Sequence, residues 1–304
     1  MKENGKMNNG KPHRRLEELN LLDDFLFQEM ISQEDGEEFC RILLSTILGR
    51  PIRKVRITPQ KNILGVNTDK HGIRMDAYIE DISETEADSS DGMADARISS
   101  DIYDIEPNLK YEKLTLPRRM RYYHGLIDTQ LLSAGTEYDK LPNVVIIIIL
   151  PYDPFGKNRM VYTIENGCRE DRDISYDDGA KKIFLYTKGT EGNPSQALRD
   201  MLKYIEKTTD ENVANKDIET IHRFVKKLKL SAEVGINYMK SWEREKMIRD
   251  EGIKEGIEQG IRILVQTCKE LGMTRSEVLD KIETKYQLND RDAEAYMESY
   301  WDKE

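Results

Sequence analysis

Apolar positions recur along the chain with two periods, and the switches between them outline the elements. From Leu22 the spacing is helical. Leu22, Phe25, Leu26 and Met30 form one stripe and Phe39, Ile42, Leu43 and Ile47 a second, before Gly49 and Pro51 stop the helix. Strand-like alternation follows in KVRIT (54–58), GIRMDAYIE (72–80) and DIYDIE (101–106). Between the last two, SETEADSSDGMADARISS is acidic, rich in small residues and aperiodic, which predicts a flexible insertion over 82–100 at a strand-to-strand turn.

Pro117 opens a predicted helix in which Met120, Tyr123, Ile127 and Leu131 share one face. The next run, NVVIIIILPYD, is apolar at odd and even positions alike, as expected of a central strand buried from both sides. MVYTIE (160–165) and KIFLYT (182–187) extend the sheet, and beyond Asn193-Pro194 the pattern is helical almost to the end. An antiparallel trio joined through a crossover helix to a buried strand predicts an α/β fold, with a mixed central sheet flanked by helices and an all-helical C-terminal region. The expected organisation is a basic arm over 1–19, an α/β domain over 20–190, a helical extension over 191–270 and a small helical unit over 271–304.

Composition narrows the picture. The chain has 304 residues, 38% hydrophobic and 34% charged, which suits a folded protein with a polar surface. Its formal charge of −10 argues against indiscriminate binding of polyanions but leaves room for local basic surfaces. Cys40, Cys168 and Cys268 are odd in number and far apart, so neither a disulfide framework nor a zinc knuckle is readable. The first twenty residues hold no apolar signal region, and VVIIIIL is too short to span a bilayer. The expectation is a soluble cytoplasmic protein with no membrane partner.

Candidate chemistry lies in the strands. Alternation in GIRMDAYIE puts Asp76 on one face with Arg74, Tyr78 and Glu80, and in the later strand Asp104, Glu106 and Asn108 share a face. If the strands pair, Asp76 and Glu106 sit side by side. Two such carboxylates repel unless a cation neutralises them, and Mg²⁺ prefers hard oxygen ligands with several waters retained. The plainer alternative is that both are solvent-face residues of amphipathic strands.

The segments LLDDFLFQEM, RMDAYIED, IYDIEPN, LPRRMRYYHGLID, VIIIILPYDPFGKNRMVYTIENGC and DEGIKEGIEQGI occur in that order. Together they resemble the PD-(D/E)XK nuclease family transposases, the recombination-promoting nuclease type of bacteria and their mobile elements. The likeness runs over about residues 20 to 260. It implies a restriction-endonuclease-like core, a divalent-metal site holding Mg²⁺ or Mn²⁺, and metal-dependent cleavage of DNA phosphodiesters linked to recombination, transposition or defence. Carried over by position, Asp76 matches the motif aspartate, Glu106 the motif (D/E), and Asp24 the acidic residue of the first helix. Asn108 falls where the family has lysine or glutamine. That departure opens a second reading, a catalytically degenerate nuclease fold that binds DNA or a protein without cutting. Lys110, four residues beyond Glu106, is the nearest substitute cation.

On the predicted helix, Arg119 and Tyr122 are neighbours three residues apart, away from the apolar stripe. By the resemblance they face the site, with Arg119 on a phosphate and Tyr122 beside it. Arg118, Arg121 and Lys113 add charge for nucleic-acid binding, as does RPIRKVRITPQK at 50–61. In the tail, Gly252, Gly256 and Gly260 alternate with Ile253, Ile257 and Ile261 in adjacent helical stripes. Each interior glycine costs about 1 kcal/mol of helix propensity, which predicts offsetting close contact with another helix, within the protein or between protomers, and the expected partner is a second copy in a dimer formed through the C-terminal helices. A purely oligomeric interaction protein is the third reading. Thr274 and Glu277 have the spacing of a capping box.

Overall fold

GIRMDAYIE and DIYDIE do become neighbouring strands. The computed structural model describes residues 14–63, 71–82 and 101–301. The basic arm up to residue 13 and the acidic insertion from residue 83 to residue 100 lie outside the described residues. The chain forms two compact units, residues 1–235 and 236–304.

In the first unit, α1 (Asp24–Ser32) and α2 (Gly36–Leu48) precede β1 (Val55–Ile63), β2 (Ile73–Asp81) and β3 (Ile102–Pro107). Then come α3 (Leu116–Leu131), β4 (Val144–Leu150), β5 (Val161–Ile164), β6 (Ala180–Tyr186), α4 (Gln196–Glu206) and α5 (Lys216–Lys229). The sheet has six strands in the order β1-β2-β3-β4-β6-β5. β2 runs antiparallel to both β1 and β3, while β3, β4 and β6 run parallel, and β5 returns antiparallel at the edge. This is the expected mixed α/β sheet. α3 makes the crossover between parallel strands that a short turn cannot make.

Every residue of β4 is buried, as its two-sided apolar run requires. Ile146, Ile148 and Leu150 join Tyr78, Ile102 and Phe184 in a core closed by Leu116, Met120, Leu126 and Ile127 of α3. β1 continues through Pro59, beyond the expected strand end. Proline lacks an amide hydrogen, and an edge strand tolerates that loss.

α4 and α5 belong to the first unit, so the chain divides at Gly235 and Ile236 and not at residue 190. Both are amphipathic: α4 buries Leu198, Met201, Leu202 and Ile205, and α5 buries Ile218, Ile221 and Val225. Long-range bonds tie them to the N-terminal segment. The Leu21 amide donates to Thr208 Oγ1 (2.9 Å), the Thr208 amide to Asn20 Oδ1 (2.9 Å), and Lys229 Nζ to the Leu19 carbonyl (2.6 Å).

The second unit holds most of α6 (Ala232–Glu270), with α7 (Arg275–Tyr286) and α8 (Asp290–Tyr300). Gly272, at φ +74°, makes the turn between α6 and α7 in the left-handed region that glycine favours. Thr274 and Glu277 form the expected capping box. Among the described residues no helix is long and apolar enough to cross a membrane. The three cysteines are free.

Candidate metal centre

The β2–β3 ladder pairs Tyr78 with Asp104 and Ala77 with Ile105. One step further out, the same register sets Asp76 opposite Glu106. On the other side of β2, Pro59 pairs with Ala77 and Lys61 with Met75, so Gln60 stands opposite Asp76 with a left-handed φ of +51°. The backbone is therefore bent beside the carboxylate, a distortion that recurs next to functional sites. β3 ends at Pro107, and the Asn108 amide still reaches the Ile149 carbonyl (2.9 Å), which fixes the strand end against β4.

Asp76 is partly buried and Glu106 is 3% exposed. Burial, then Glu106, then Asp24 push the Asp76 carboxyl up from 3.8 to about 7. Glu106 is also raised, chiefly by burial, with Arg119 opposing and Asp24 and Glu112 reinforcing the shift. The three carboxylates expected at the site thus act on one another. Among the described residues, however, no three His, Cys, Asp or Glu side chains close into a ready-made cation cage.

The donor chemistry still suits a hard cation. Mg²⁺ is commonly held by one or two carboxylates with water completing the shell, and Asp76 and Glu106 are two desolvated carboxylates that an added positive charge would relieve.

Arg119 holds the site from α3. Its Nη2 donates to Glu106 Oε2 (2.5 Å) and its Nη1 to Glu112 Oε2 (2.6 Å), a fork across two carboxylates. Lys110 Nζ closes on Glu112 Oε1 at 2.9 Å, so this lysine answers Glu112 and does not fill the place next to Glu106. Burial works against the Arg119 charge, but Glu106, Tyr123 and Glu112 together outweigh it and the guanidinium pKa is raised. Arg119 Nε is buried without a hydrogen-bond partner.

Asn108 is 7% exposed. Its Oδ1 accepts from the Lys110 amide (2.9 Å), an Asx turn, while Nδ2 is buried without a partner. The side chain thus keeps a buried donor without a partner.

Tyr123 and Asp104 lie beside the carboxylates although the sequence pattern gave neither a role there. Tyr123, assigned to the apolar stripe of α3, packs against that core, and the Arg119 guanidinium lies 5.3 Å from its ring centre. Its hydroxyl is pushed up to about 12 by burial and then by Glu106. Tyr122, expected at the site, is 40% exposed and donates to the His71 carbonyl (2.5 Å). The signal for Tyr123 was its position one helical turn after Arg119. Asp104 is fully buried, both carboxylate oxygens lack partners, and burial followed by Glu106 and Asp76 raises its pKa well above the ordinary range. Its place on the Glu106 face was legible, but its complete enclosure under α3 was not. Glu112 carried no signal.

Of the remaining basic residues, Arg118 and Arg121 are exposed on α3 and form no ion pair among the described residues, and Lys113 is partly buried. In the 50–61 run, Arg50 contacts Asp101 (3.2 Å) and Asp81 (3.5 Å), and Arg56 contacts Glu80 (3.3 Å), so much of that charge is answered locally.

No protein-family model, curated protein or solved structure matches the chain at a significant level.

Proposed function

We propose that the first unit is a PD-(D/E)XK-like nuclease domain and that the chain is a Mg²⁺- or Mn²⁺-dependent DNA endonuclease acting in recombination, transposition or defence. The observation that carries this reading is the register that sets Asp76 opposite Glu106, where Glu106 adds to burial in raising the Asp76 carboxyl and Arg119 holds Glu106.

A bound divalent ion would supply Lewis-acid polarisation of a phosphodiester oxygen and a water of lowered pKa. Asp76 and Glu106 would hold it as ionised carboxylates, with Asp24 adding negative charge from the first turn of α1. Asn108 has its Nδ2 without a partner and can donate to a water or phosphate oxygen, but an amide is too weak a base to take a proton from the attacking water. Arg119 now spends its two terminal nitrogens on Glu112 and Glu106, and would offer a phosphate the same fork only on releasing them. Arg118 and Arg121, exposed on the same helix, and Lys113 would contact the DNA backbone.

A second reading has its own support. Glu106 is neutralised by Arg119 and the lysine position holds an amide with its acceptor engaged, which is what a non-cutting DNA-binding descendant would tolerate.

Incubating supercoiled plasmid with the full chain and Mg²⁺ or Mn²⁺ separates the two readings. The nuclease reading expects nicking that chelation and Asp76→Ala both abolish. DNA binding without nicking would establish the second reading, and nicking that persists in Asp76→Ala would remove the site.

A further inference from the structure

The proposal concerns α6 and does not depend on whether the site cuts DNA. At about 100° per residue, Ile236, Met239, Met247 and Ile253 lie on one stripe of the helix with Ile257, Ile261 and Leu264 further along. α7 and α8 cover the later part: Ile261 is fully buried, and Ile257 and Leu264 pack against the same core. The earlier part is open, with Ile236 55%, Met239 46%, Met247 64% and Ile253 50% exposed.

We propose that this open stripe pairs with the same stripe of a second copy of the chain, in antiparallel orientation. The charges within the stripe select the partner and its direction. Met239, Lys246 and Ile253 are spaced by sevens, as are Glu243, Asp250 and Ile257, so the two series form the two inward positions of a heptad seam.

A parallel pair would set Glu243 against Glu243, Lys246 against Lys246 and Asp250 against Asp250, three like-charge layers. An antiparallel pair with its two-fold axis between Lys246 and Asp250 instead sets Lys246 of each copy against Asp250 of the other. The same register brings Met239 to Ile257, and Glu243 to Ile253 with Lys254 adjacent. A two-fold interface demands this reciprocity, and the sequence supplies it. Lys246 also lies 5.4 Å from the ring of its own Trp242.

Gly252 and Gly256 lie off this seam, whereas Gly260 continues the series of Met239, Lys246 and Ile253. Gly252 and Gly256 have nothing within 4 Å of an added Cβ, and only Gly260 meets a neighbour, Tyr286 Oη at 2.7 Å. The close helix contact expected for all three glycines therefore holds within the second unit for one of them.

Charge exchange on the full chain tests the pairing by sedimentation equilibrium over a wide concentration range. Lys246→Glu should weaken the dimer at least tenfold. Lys246→Glu combined with Asp250→Lys should return it to within about threefold of the wild type, because each new glutamate meets a new lysine. Gly252→Ala, off the seam, should leave the dimer constant unchanged, and circular dichroism checks that each variant keeps its helix content. A wild type that stays monomeric at all concentrations overturns the proposal. So does a dimer indifferent to Lys246→Glu, or one that the double exchange fails to restore.

Discussion

Replacing Asp76 with asparagine removes a negative charge from a place where the fold disfavours it, and the stability of the chain should register the change as a function of pH. The carboxyl is pushed from 3.8 to about 7 by burial, by Glu106 and by Asp24. An acid with a raised pKa keeps its proton in the folded chain over a range where the unfolded chain has lost it. Stability therefore falls as pH rises from about 4 to about 7, and the whole penalty is present above 7. At about 1.4 kcal/mol per pH unit the ceiling is about 4 kcal/mol. Asp76 is only partly buried, and solvent screening brings the expected effect to about 2 kcal/mol. Urea unfolding of Asp76→Asn without divalent ions should thus show a gain of about 2 kcal/mol at pH 8 that fades to nothing near pH 4. An equal gain at both pH values, or a loss at pH 8, would refute the electrostatic account of the site.

Three further outcomes follow from named contacts. Arg119→Met leaves Glu106 buried without its partner, which should cost about 3 kcal/mol at pH 8 and less at pH 5, where Glu106 can take up a proton; denaturant unfolding at the two pH values checks it. Asn108→Ala removes the acceptor for the Lys110 amide and should cost about 1 kcal/mol by the same measurement, with slower amide exchange at Lys110 counting against the contact. Gly252→Ala and Gly256→Ala should each stabilise α6 by about 1 kcal/mol, because the added methyl meets open space. Gly260→Ala should gain less, since its methyl displaces the Tyr286 hydroxyl; thermal unfolding followed by circular dichroism ranks the three.

Much of the scaffold was legible because its signals are local. The two-sided apolar run of β4, the alternation of β2 and the Pro117 start of α3 each report burial or capping within a few residues, and together they lead to the mixed sheet. The allocation of α4 and α5 was not legible. Their apolar faces announce that they pack, but the partners are α1, α2 and the Asn20–Leu21 segment nearly two hundred residues earlier, which no periodicity encodes.

The site divides in the same way. Asp76 and Glu106 follow from strand alternation and register. The choice between Tyr122 and Tyr123 depends on how α3 is rotated over the sheet, and the full enclosure of Asp104 depends on the helix that covers it. Asn108 is the subtlest case: the sequence shows an amide, and only the structure shows that its oxygen is tied to the Lys110 turn while its nitrogen is buried without a partner.

Divalent-ion binding itself tests the central claim most directly. In a titration of the full chain with Mn²⁺, followed by the electron paramagnetic signal of the free ion, the wild type should take up the ion at pH 8. Asp76→Asn and Glu106→Gln should each lose that binding, while Tyr122→Phe keeps it. Undiminished uptake in both carboxylate variants, or no uptake by the wild type, would contradict a metal centre at Asp76 and Glu106.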